Sequence, residues 1–144
     1  MANITRMHGR QVWDSRGRPT VEVEVTLDDG SRGRSIAPSG ASTGRREALD
    51  RRDGGKRLGG YGVDGALASV NGEIANGLVG LDATDQAAID AALVRLDGTP
   101  QKQRLGGNAI VATSQAVAWA AAASKKIPLW QHLRSLAGVA DAPI

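Results

Sequence analysis

A chain of 144 residues has the length of one domain, and such a domain buries roughly two thirds of its unfolded surface. Its 18 Lys and Arg are interleaved with 15 Asp and Glu for a net charge of +3, and Phe is absent. Neither a basic tract nor an aromatic platform is therefore offered to nucleic acid. With no cysteine, no leader-like apolar core and no run long enough to span a membrane, a soluble cytoplasmic domain is expected. In chain order, "ITRMHGRQVW" reads as a strand of irregular pattern, joined through the "DSRGRP" turn to "TVEVEVTL" at 20–27. There Val21, Val23, Val25 and Leu27 alternate with Glu22, Glu24 and Thr26, the period of a half-buried strand. The return strand is "SRGRSIA". A three-residue loop, Asp28-Asp29-Gly30 with Gly30 left-handed, pairs Arg32 with Thr26 and Arg34 with Glu24 and keeps both arginines in water. A two-residue loop would bury them, so the longer one is expected.

The chain then turns helical, with helices expected near 62–78, 84–96, 108–124 and 128–136. The first is weakened by Gly65 and Gly72. The second has Thr84 as its expected N-cap, Asp85 in its first turn, and Ile89, Leu93 and Leu96 in one stripe. The third is apolar on most of its circumference, so it is expected to lie buried among other elements. Lys125 and Lys126 suit its C-terminal end. Pro128 opens the last helix, which carries Leu129, Leu133 and Leu136 and ends at Gly138. The expected fold is α+β: a three-stranded antiparallel β-meander followed by about four helices packed on one face, residues 1–144 forming a single domain.

The segment "APSGASTG" at 37–44 carries the chemistry most open to interpretation. Gly40 to Gly44 match the G-x-S-x-G pattern around a nucleophilic Ser42. That elbow needs a parallel strand, a turn and a helix, with an acid and a histidine downstream. Here Pro38 interrupts the approach, and the elements do not alternate between β and α. No Lys-Ser or Lys-Thr pair follows the glycines as a phosphate-binding P-loop requires. A metal ligand, another kind of phosphate cradle or a plain turn all remain. His8 and His132 lack matched spacing to acids and read as structural or surface residues. Asp14, Ser15 and Arg16 read as turn formers. Arg46 with Asp50, and Glu47 with Arg51, read as i,i+4 surface pairs.

"DSRGRPTVEVEV" (14–25), "PSGASTG" (38–44), "EALDRRDG" (47–54), "LDGTPQK" (96–102) and "LGGNAIVATSQAVAWAAA" (105–122) occur together and in this order. Together they closely resemble the N-terminal domain of enolase, phosphopyruvate hydratase, over nearly the whole chain. The resemblance implies the capping domain of a Mg-dependent lyase that converts 2-phosphoglycerate to phosphoenolpyruvate in glycolysis. It implies an α/β barrel, absent from this chain and joined in cis or in trans, that holds the acid and base residues and most metal ligands. The chain alone is then expected to be inactive and to bind Mg negligibly; the complete protein is expected to be a homo-oligomer, with no nucleic-acid or membrane partner. What the resemblance assigns here is a substrate loop of Ser39, Gly40, Ala41, Ser42, Thr43 and Gly44 within a lid spanning 38–46. Ser42 reaches a second Mg on closure, and Arg10 and Glu22 are candidate dimer contacts. The chain departs from the family pattern at Gln11, at Asp50-Arg51-Arg52, and at Gly107, Gln115 and Trp119. A free-standing binding or regulatory domain with the same fold is the alternative, and an exposed Trp119 would favour it.

Overall fold

The alternating valines form the middle strand of a three-stranded antiparallel sheet. The structure, a computed structural model, describes residues 1–40 and 42–139. Strands β1 (Ile4–Trp13), β2 (Pro19–Leu27) and β3 (Arg32–Ile36) lie in the order β1-β2-β3. Val21, Val23 and Val25 are fully buried and Leu27 nearly so. Thr26 pairs with Arg32 and Glu24 with Arg34, around a loop in which Gly30 has φ +83°. This is the three-residue loop expected from the charge pattern, and both arginines are exposed. At the preceding turn, Asp14 Oδ1 accepts the backbone N–H groups of Arg16 (2.8 Å) and Arg18 (2.9 Å), as expected of a turn former.

The helices cover one face of the sheet. The first is continuous but uneven: α1 (Asp64–Ser69), a π-helical stretch (Val70–Ile74) and α2 (Ala75–Leu78). Its anchor is Gly9 of β1. The Gly9 N–H donates to Asn71 Oδ1 at 2.7 Å, Asn71 Nδ2 donates back to the Gly9 carbonyl at 3.1 Å, and Val70 packs where a Cβ would stand. Helix α3 (Gln86–Asp97) is capped by Asp85, whose carboxylate accepts from the Ala88 N–H at 3.0 Å. Thr84 is not the cap. Its N–H and hydroxyl are both taken by Asp82, at 2.9 and 2.8 Å, which leaves the capping position one residue later.

Helix α4 (Gly107–Ser124) is the buried element its composition predicts, with Ala109, Ala112, Ala116, Val117, Ala120 and Ala121 in the core. It closes with Ile127 N–H to Ala122 O (3.1 Å) and Lys126 N–H to Ala123 O (3.0 Å), around Lys126 at φ +55°. These are the paired bonds of a Schellman motif. Helix α5 (Leu129–Leu136) follows. Its leucines do not form a core stripe: Leu133 and Leu136 are exposed, together with Trp130, and the residue it buries is His132. No helix among the described residues is long and apolar enough to cross a membrane.

Candidate functional site

The hydroxyl-rich segment leaves the sheet from a fixed point. Ala37 is buried, its N–H donates to Val21 O at 2.8 Å, and its carbonyl accepts the Thr20 hydroxyl at 2.8 Å. Beyond it Ser39 is half-buried, and Gly40, Ser42, Thr43 and Gly44 are exposed. Ala41, the remaining member of the expected substrate loop, lies outside the described residues. Among those residues, no hydrogen bond engages the hydroxyl of Ser42 or Thr43.

The opposing wall is pinned instead. Leu49 N–H donates to Gln101 O at 2.8 Å and Gly107 N–H to Leu49 O at 2.7 Å. Gln101 Nε2 reaches the carbonyls of Arg45 (3.1 Å) and Glu47 (3.3 Å). Asn108 brackets Arg51, accepting its N–H at 3.0 Å and donating to its carbonyl at 3.2 Å. Behind this wall Asp97 is buried and accepts the N–H groups of Thr99 and Leu105, each at 2.8 Å. Burial pushes its carboxyl up, but the Thr99 hydroxyl and these N–H bonds outweigh that effect and hold it below the usual range. Asp53 accepts the N–H groups of Gly65 (2.9 Å) and Asp64 (2.8 Å), which close the open end of α1 and likewise lower its pKa.

Between the two walls is a polar cleft of about 270 Å³, lined among others by Pro38, Gly40, Ser42, Thr43, Glu47 and Asp50. Glu47 and Asp50 are the residues that spacing misplaced. The segment 45–50 is not helical, so the expected pairs Arg46–Asp50 and Glu47–Arg51 do not form. Asp50 pairs with Arg52 at 3.1 Å, while Arg51 donates to Ser69 Oγ and Arg104 O, each at 3.0 Å. Serine and carboxylate oxygens are hard donors of the kind Mg²⁺ takes. Yet no group of three or more His, Cys, Asp or Glu among the described residues could hold a metal. The donor set suits a contribution to a shared metal rather than a complete shell. No histidine lines the cleft: His8 is exposed on β1 and His132 is buried in α5. A nucleophilic Ser42 therefore has no histidine beside it, and the sheet is antiparallel where the elbow needs parallel strands.

Arg10 and Glu22 meet on the sheet face that the helices leave uncovered. Arg10 Nη1 lies 2.6 Å from Glu22 Oε1, and Arg34 Nε lies 3.7 Å from the other oxygen. Glu22 is only 6 % exposed, so the pair is not a simple solvated surface charge. Residues 4–133 match the family described as "Enolase, N-terminal domain". The chain belongs to the enolase N-terminal domain family. That membership makes it an enolase-like capping domain within a lyase-type enzyme family, whose full members pair this domain with a C-terminal barrel. In this enolase-type domain the five sequence motifs have visible work. The 14–25 motif forms the first turn and most of β2, Pro38, Gly40, Ser42 and Thr43 of the 38–44 motif one wall of the cleft, and the start of the 47–54 motif the other. The 96–102 and 105–122 motifs supply Gln101 and Asn108, which fasten that second wall.

Proposed function

We propose that this domain, one unit over 1–144, caps a Mg-dependent lyase that dehydrates 2-phosphoglycerate to phosphoenolpyruvate in the cytoplasm. The barrel is joined in cis or in trans. The observation that carries this reading is the contrast across the cleft, where exposed Ser42, with no hydrogen bond among the described residues, faces a wall held by Gln101 and Asn108. Residues 38–46 act as the lid. Folding down, they would exclude water and let Ser39 and Thr43 border the substrate, and the Ser42 hydroxyl would be a ligand to a metal held mainly by the barrel. The metal supplies Lewis-acid stabilisation of the negative charge that builds beside the substrate carboxylate when a proton is removed. Acid–base residues come from the barrel, and Arg10 and Glu22 serve the contact between subunits of a homo-oligomer. Nucleic acid and membrane are not partners.

A coupled assay tests this directly. The purified 144-residue chain is expected to give no turnover of 2-phosphoglycerate, and to contribute activity when a separate barrel polypeptide is added. Turnover by the chain alone after stringent purification would overturn the capping assignment. One observation favours a second reading, a free-standing binding domain: Trp119 is 46 % exposed. Failure to associate with any barrel polypeptide, with the fold intact, would support it.

A further inference from the structure

The third strand ends the sheet with one side unpaired. Leu27 N–H donates to Ser31 O at 2.9 Å and Ala37 N–H to Val21 O at 2.8 Å. Ser31, Gly33, Ser35 and Ala37 therefore turn their backbone groups toward β2. By the alternation of an antiparallel ladder, Arg32, Arg34 and Ile36 turn theirs outward. No other backbone or side-chain group among the described residues takes these up. Such a row of unmet donors and acceptors is a template for one more strand.

Beside this edge runs an open groove of about 470 Å³, lined by Arg32, Gly33 and Arg34 on the strand side and by Trp119, Ile127 and Leu129 on the helical side. Gly33 lets α4 sit directly on β3, so the groove continues the buried face of the sheet past its last strand. The rim is basic. Arg32 makes no ion pair among the described residues, and Arg34, with its side chain 64 % exposed, has only the 3.7 Å approach to Glu22.

We propose that the β3 edge and this groove receive an extended acidic–apolar–acidic segment of a partner protein as a fourth strand. Its acidic residues would stand opposite Arg32 and Arg34, and the apolar residue between them would point to the face that holds Trp119, Ile127 and Leu129. A second copy fits poorly, because edge-to-edge pairing would set the arginines of the two chains against each other. A nucleic-acid backbone fits poorly as well, because phosphates cannot answer the outward carbonyls.

The test uses a fluorescent peptide of alternating glutamate and valine, about ten residues long so that it covers a strand, titrated into the full chain at low salt. Saturable binding is expected, with new amide-exchange protection at Arg32, Arg34 and Ile36. Charge reversal by R32E with R34E, or Trp119→Ala, should weaken it about tenfold or more. All three side chains are exposed, so circular dichroism is expected to show these variants folded. N-methylation of alternate peptide nitrogens should abolish binding, because it removes the main-chain donors while keeping the charge. The proposal fails if binding does not saturate, if the methylated peptide binds as tightly, or if protection appears elsewhere. It fails equally if the chain self-associates through β3, or if a single-stranded oligonucleotide takes the edge in place of the peptide.

Discussion

At the scale of single residues, Ser42 and His132 have opposite settings and opposite expected phenotypes. Ser42 is exposed and without a hydrogen bond among the described residues. In a complete enzyme, Ser42→Ala should lower turnover roughly ten- to a hundredfold, the scale of a lost contact around a metal. The melting temperature should stay unchanged, and a clear drop would mean that the hydroxyl serves packing instead. His132 is fully buried, with Nε2 unpartnered among the described residues and Nδ1 3.4 Å from Lys125 Nζ. Burial, reinforced by the Lys125 charge, lowers its pKa from 6.5. Because the folded state resists its protonation, its stabilising contribution is full above pH 6.5 and is lost as pH falls from there through the depressed folded value. The lowered carboxyls of Asp53 and Asp97 lose theirs only below the ordinary aspartate value of 3.8, so the two windows are distinct. Urea midpoints measured from pH 7 toward pH 5 should therefore decline in the wild type. His132→Gln should cost about 1–2 kcal/mol at pH 7 and flatten the decline. Parallel slopes in the two proteins would remove His132 from this role.

At the scale of elements, the junction of β3 with α4 sets the thickness of the fold. A Cβ on Gly33 would stand 2.1 Å from Ala116 O and 2.2 Å from Ala120 N, both backbone atoms that cannot rotate away. Gly33→Ala should therefore force α4 off the sheet and cost about 3 kcal/mol, the upper end of overpacking penalties. Urea denaturation would measure it, and a loss below about 1 kcal/mol would show that α4 slides at little cost. The alanines of α4 belong to the same arrangement, because larger side chains would prevent so close an approach. An alanine-rich helix and a glycine in mid-strand are each unremarkable alone. Their fit to one another was not legible in the sequence, since it depends on a contact between positions some eighty residues apart.

At the scale of the whole molecule, the proposed function has the domain bring part of a site together with the fastening for that part. The donor inventory predicts negligible Mg²⁺ binding by the chain alone, because no metal-holding cluster exists among the described residues. Isothermal titration at millimolar Mg²⁺ should show no saturable heat, and a measurable isotherm would reveal a self-sufficient site. The two walls of the cleft should also separate in amide exchange. Amides of residues 42–46 lack acceptors among the described residues, whereas Leu49 donates to Gln101 and Arg51 to Asn108. Exchange should be fast in the first group and slow in the second. Equal protection in both would contradict a lid that waits for its partner.

Periodicity marked β2 and the main helices and charge set the hairpin register, because alternating valines, apolar stripes and two arginines that stay in water express local requirements to bury one face and hydrate the other. The five ordered motifs likewise marked the family and the Ser42 loop. Tertiary structure decided what local spacing cannot carry. Glu47 and Asp50 left the expected surface pairs for the cleft because Gln101, from a distant turn, and Asn108, from the first turn of α4, hold this non-helical backbone in place. Thr84 lost the cap to Asp85 because Asp82 captured its hydroxyl. His132 went inside while its leucine neighbours stayed exposed. The first and the last share a reason, since their surroundings are delivered by elements distant in the chain, whereas the cap was decided between neighbours by which carboxylate took the Thr84 hydroxyl.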